Sequence, residues 1–153
     1  MTISTFLKKL WLKANGNHRK NEQKTIENLI ANYNDFHDAL LVNFEYKTNI
    51  DFSDKSYKKR INEINLIISC FNIVEEVKRE TIKINFLEIE KFKYTKFEGM
   101  IFEILVQKEN DFTIVDFDPI ILGHDETGKF ILEINPNSYL QIKFKNLFYE
   151  VIE

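Results

Sequence analysis

Two histidine-aspartate dipeptides, His37-Asp38 and His124-Asp125, are the residues of this chain best suited to chemistry. An imidazole beside a carboxylate can shuttle a proton or ligate a metal, and either task needs the pair held in a fixed geometry. Metal binding would need His37 and His124 brought together with carboxylates such as Asp116 or Asp118, and their spacing in the chain does not enforce that. Two carboxylate pairs stand two residues apart, Asp116 with Asp118 and Glu88 with Glu90. On a strand such positions share a face, so each pair can act jointly or simply be solvated. Cys70 is the one cysteine. It is in step with Ile64, Leu66 and Ile68, which reads as a small buried hydrophobe. No Gly-x-Ser-x-Gly is present, and four glycines cannot build a phosphate or dinucleotide loop. The sequence therefore assigns no catalytic residue, no metal ligand and no cofactor.

The elements that must position these groups follow from periodicity. At 153 residues and 44% hydrophobic, with fourteen phenylalanines, the chain is expected to form a single globular domain over 1–153. Residues 1–16 read as a basic amphipathic helix, with Phe6, Leu7, Leu10 and Trp11 on one face and Lys8, Lys9 and Lys13 opposite. A second helix is expected over 20–34, where Ile26, Leu29, Ile30 and Tyr33 recur at three and four residues. From 39 to 152 the pattern is β. Leu40, Val42, Phe44 and Tyr46 alternate with their neighbours, and Asp35 to Ala39 is the corner between helix and strand.

Further strands are expected over Ile61–Phe71, from Thr81, from Gly99 with Met100, Phe102, Ile104 and Val106 inward, over Phe112–Phe117, from Phe130, and from Tyr139 to about Ile152. Pro119 disfavours a central strand after Phe117. The rows Ile82-x-Ile84-x-Phe86 and Leu140-x-Ile142-x-Phe144 share their spacing, and each is followed by a change of parity, the mark of a bulge or twist. The expected fold class is α+β: one or two N-terminal helices, then an antiparallel, strongly twisted sheet of about six to seven strands.

A formal charge of −3 argues against nucleic acid as the principal partner. No apolar run is long enough for a membrane span, and no secretory signal follows Met1, so a cytoplasmic protein is expected.

The order of a helix, Phe36-His37-Asp38-Ala39, an alternating strand, then Ile82-Lys83-Ile84-Asn85-Phe86 followed by Leu87-Glu88-Ile89 resembles a set of small bacterial domains. These open with a His-Asp-Ala or His-Asp-Ser corner, and some are assigned as immunity proteins of polymorphic toxin systems. The resemblance implies an α+β sheet protein whose partner is a toxin domain, with His37 and Asp38 as a structural corner. Nuclease toxins are basic, so such an inhibitor would present acidic side chains. The candidates are Asp116, Asp118, Asp125 and Glu126, or Asp51 and Asp54 in a polar loop. Two other readings stay open: a small hydrolase or ligand-binding enzyme using His37 and Asp38, and an accessory or scaffold subunit docking through the Trp11 helix.

Overall fold

The computed structural model describes residues 23–50, 60–74 and 77–152. The expected first helix with Trp11, and the loop with Asp51 and Asp54, lie outside the described residues.

Helix α1 (Gln23–Asn32) forms where the sequence places it and ends two residues before the expected bound. Its apolar stripe of Ile26, Leu29 and Ile30, with Tyr33 one turn on, is buried against the sheets. The helix is pinned by polar contacts as well as by packing. The Ile73 N–H donates to the Asn32 carbonyl at 3.1 Å. The Tyr33 hydroxyl donates to buried Glu80 at 2.8 Å, and the Asn72 amide donates to the other oxygen of the same carboxylate at 3.3 Å. Burial and this bond to a carboxylate push the Tyr33 hydroxyl pKa far up, so it stays a donor.

The chain then leaves the helix through a left-handed turn. Asn34, Asp35, Phe36 and Asp38 all have positive φ, between 53° and 61°. Asn and Asp tolerate that region; for a bulky aromatic it is costly. Phe36 is held there by its N–H to the Tyr33 carbonyl at 3.0 Å and by complete burial of its ring. The Asp38 N–H donates to the Ile101 carbonyl at 2.9 Å, which locks the turn to the neighbouring edge strand of the same sheet.

Strands β1 (Ala39–Ile50), β2 (Arg60–Asn72), β3 (Lys78–Leu87), β5 (Met100–Ile101) and β11 (Asn146–Val151) form an antiparallel sheet ordered β11-β3-β2-β1-β5. A second antiparallel sheet, ordered β4-β10-β7-β6, contains β4 (Lys91–Tyr94), β6 (Leu105–Glu109), β7 (Phe112–Asp116) and β10 (Leu140–Phe144). Strands β8 (Ile120–His124) and β9 (Phe130–Glu133) make a hairpin that, among the described residues, is paired only with itself.

The two larger sheets share one core. Ile64, Leu66, Ile68 and Cys70 of β2 and Ile82, Ile84 and Phe86 of β3 face Leu140, Ile142 and Phe144 of β10. Phe86 meets Phe144 edge to face at 4.8 Å, and Phe44 stacks on Tyr94 at 4.0 Å. Burial pushes the Cys70 thiol up to about 12, so it is unreactive in the core.

The fold class expected from sequence does not hold. The described residues are mostly β, 60% strand and 9% helical, with one short helix and several antiparallel sheets in place of one. The physical reason lies at the two parity changes. After Leu87 the chain bends at Glu88 (φ 54°) and passes from β3 in one sheet to β4 in the other. After Phe144 it makes the reverse passage at Lys145, from β10 to β11. The two crossings lie side by side, since the Lys145 N–H donates to the Leu87 carbonyl and the Glu90 N–H to the Lys143 carbonyl. Bulges of this kind are how one strand serves two packed sheets.

Two strand assignments also change. A register shift between Leu41 and Asn43 leaves Val42 as a bulge, so Leu40 and Val42 point outward while Phe44 packs inward. The strand expected from Met100 through Val106 is broken, because the chain crosses from the five-stranded to the four-stranded sheet between Ile101 and Leu105. Ile101 and Ile104 are buried, but Met100 and Phe102 are 55% and 52% exposed.

Candidate functional site: an apolar strip with an acidic rim

The crossing between β5 and β6 is unpaired, and it presents Phe102 to solvent beside the end of the left-handed turn. The Phe102 ring lies edge-on to His37 at 5.2 Å and contacts Phe130 of the β8–β9 hairpin at 5.9 Å. Phe130 in turn stacks on His124 at 5.9 Å. The two histidines thus share one surface with two phenyl rings between them, and the structure does not bring them into contact. Among the described residues no group of three or more His, Cys, Asp or Glu is placed to hold a metal ion. His37 Nδ1 is 3.3 Å from Asp38 Oδ1 but is shielded from solvent without a hydrogen bond.

An apolar strip runs across this surface. Leu40 and Met100 are cross-strand partners at the sheet edge, both exposed, and Phe102 and Phe130 continue the strip. The hairpin adds Ile121, which lines the cleft behind Phe102. Leu122, in the bulge of β8, is 59% exposed, and Ile131, next to Phe130 on β9, faces the other side. A two-stranded hairpin is marginal alone in water, and no strand among the described residues pairs with either outer edge of this one. Its tip is well built. Asp125 Oδ1 accepts from the Thr127 N–H, the Thr127 hydroxyl and the Lys129 N–H at 2.6–3.0 Å, and Gly128 supplies the positive φ the turn requires. The Thr127 hydroxyl bond chiefly holds the Asp125 carboxyl below its ordinary range.

Behind Phe102 the strip deepens into a cleft of about 140 Å³. Its walls are Phe97, Met100, Phe102, Phe117, Ile121 and Tyr139, and the carboxylates Glu103 and Asp118 also line it. Phe97 stacks on Tyr139 at 3.9 Å. A Cβ at Gly99 would stand 2.9 Å from the Phe97 ring, so glycine is what lets that ring lie flat. The Tyr139 hydroxyl donates to the Phe117 carbonyl at 3.1 Å. Both carboxyls are raised, first by burial. For Glu103 the charge of His37 opposes the rise and that of Asp35 adds to it. For Asp118 a hydrogen bond from the Tyr139 backbone opposes it and the charge of Asp116 adds.

A raised carboxyl favours folding while protonated, and that contribution is lost as pH rises through the raised value. Glu103→Gln is therefore expected to stabilise the protein slightly at neutral pH. The gain should be about 0.5 kcal/mol or less after solvent screening, and absent below the ordinary carboxylate range. Paired thermal melts of variant and wild type across pH measure it.

The acidic residues singled out in the sequence have separate fates. Asp116 is completely buried. Its Oδ1 accepts the Asp118 N–H at 3.0 Å; its Oδ2 accepts the Asn135 N–H at 2.8 Å and the Gln141 amide at 3.2 Å. It is therefore an internal brace and offers no surface to a partner. Asp118 lines the cleft, while Asp125 and Glu126 sit exposed at the hairpin tip. Glu88 and Glu90 do not act as a pair. The bulge separates them, Glu88 accepting from Asn146 and Glu90 from Lys143.

No family model, no curated protein and no solved structure matches this chain. The site therefore rests on its own geometry. Sequence reasoning missed Phe102, Glu103 and the hairpin. The available signal was the run Ile120-Ile121-Leu122 between Pro119 and Gly123, apolar yet followed at once by a polar turn.

Proposed function

We propose that this protein binds a basic protein domain across the Phe102–Phe130 strip and the β8–β9 hairpin, and that the partner is a toxin domain held inactive by occlusion. The observation that carries the reading is the apolar strip with its acidic border of Asp35, Asp38, Glu103, Asp118, Asp125 and Glu126. An apolar centre with a polar rim is the anatomy of a protein interface, and a rim in which acids outnumber the bases Lys129 and Arg79 favours a partner of opposite charge. The resemblance of the His37-Asp38 corner to that of immunity-protein domains supports the toxin as partner. No helix among the described residues is long and apolar enough to cross a membrane.

The test is to look for a toxin domain encoded in the genes flanking this one and to titrate the purified protein against it, reading both binding and toxin activity. The absence of such a gene overturns the toxin as partner. Stoichiometric inhibition is expected. Phe102→Asp is expected to weaken binding about thirtyfold or more, the loss of a central aromatic anchor of about 2 kcal/mol. Phe102 is half exposed, so the fold should tolerate the change. No binding by wild type, or unchanged binding by the variant, overturns the proposal.

A further inference from the structure

We propose that the cleft behind Phe102 is a receptor for a single arginine side chain, presented by the basic partner, with the guanidinium stacked on the cleft's aromatic walls and bonded to Glu103 and Asp118. The inference rests on the reading of this surface as an interface, and it names the group that surface recognises.

Size comes first. Small-molecule sites enclose about 300–1,000 Å³, and about 140 Å³ leaves room for one long side chain. Shape comes next. The stacked Phe97 and Tyr139 rings and the Phe102 ring offer flat π-faces, which attract a cation and suit a planar one best.

Charge completes the argument. Glu103 and Asp118 enter a mostly apolar cleft, yet no lysine or arginine among the described residues lies within ion-pair distance of either. Among the described residues the one opposing charge acting on Glu103 is that of His37, and Asp35 works against it. Asp118 has a long 3.4 Å contact from the Asn135 amide and the Tyr139 backbone N–H. Other acids of this protein have their cations built in: Glu90 and Glu109 share Lys143 at 3.2 and 3.1 Å. Carboxylates partly desolvated without a cation destabilise the free protein, and an incoming cation relieves that cost. A guanidinium meets the requirement better than an ammonium. It is weakly hydrated, stacks on rings, and carries enough donors to serve two carboxylates at once.

The probe is N-acetyl-arginine methylamide, with its neutral isostere N-acetyl-citrulline methylamide as control, followed by NMR of the Met100 methyl and the Glu103 and Asp118 carboxyl carbons. The arginine probe is expected to give saturable shifts at all three groups. The citrulline probe should need at least tenfold higher concentration, and Glu103→Gln with Asp118→Asn should weaken the arginine probe by a similar factor. Equal binding of the citrulline probe, or no saturable shift with arginine, overturns the inference. The toxin titration separates the two proposals. A toxin bound equally well by the doubly substituted protein removes the arginine receptor and leaves the interface. A cleft that binds the probe in a protein that ignores the toxin does the reverse.

Discussion

Replacing Asp116 with alanine is expected to cost about 3 kcal/mol or more of folding stability, because three donors lose the acceptor that satisfies them. Three donors converge on this carboxylate: the backbone N–H groups of Asp118 and Asn135 and the side-chain amide of Gln141. Each would be left facing a void, and a buried donor without a partner costs about 1–3 kcal/mol. Asp116→Asn is expected to recover only part of the loss. One of its two terminal atoms becomes an NH₂ group and must face a donor, whichever way the amide is turned. The cleft should suffer with the fold, because the Asp118 and Asn135 backbones are positioned by this one side chain. Urea unfolding of both variants, with the Met100 methyl resonance as a reporter of the cleft, measures both effects. A loss below about 1 kcal/mol for the alanine variant would contradict the bracing role.

Phe36→Ala is expected to destabilise the protein by about 3–5 kcal/mol, the range for emptying a buried phenyl site. The Phe36 ring is 1% exposed and lies nearly parallel to the Phe117 ring at 6.5 Å, so its loss loosens a wall of the cleft as well as the helix-to-strand turn. The backbone sharpens the expectation. Alanine at φ 55° keeps the left-handed strain of about 1–2 kcal/mol and loses the burial that offsets it. Asp35→Gly makes the contrast. Asp35 is exposed and also left-handed, so glycine there should leave stability unchanged or slightly raised. Equal losses in the two variants would mean that turn geometry, and not the buried ring, sets the energy.

Much of the architecture is legible where period and burial coincide. The stripe of Ile26, Leu29, Ile30 and Tyr33 and the alternating rows of β2 and β3 are buried as their spacing predicts, because each is long enough to sample one face repeatedly. The parity changes after Phe86 and Phe144 were equally visible. What they meant for the sheets was not, since a bulge in one strand does not say which neighbour the strand meets next. β1 misleads for a related reason: the single extra residue at Val42 reverses the faces of Leu40 and Leu41 without altering the apparent alternation.

The site was less legible than the fold. The Asp116-Asp118 spacing suggested one shared face, but β7 ends at Asp116, and the turn beyond it sends one carboxylate inward and the other into the cleft. Glu103 and Asp118 come together only because separate loops meet there, and no local spacing encodes that. The left-handed turn at 34–38 has its Asn and Asp residues as a cue, but Phe36 gives none.

The two bulged crossings at Glu88 and Lys145 bear on how the molecule comes apart. The stretches 78–94 and 140–151 are each a strand in both sheets, so neither sheet can melt without pulling the backbone of the other out of register. The two sheets are in effect one cooperative unit. The hairpin of β8 and β9 shares no strand with either. Its opening need not disturb the register of either sheet, although Asp116 ties its two ends together through the Asp118 and Asn135 N–H groups.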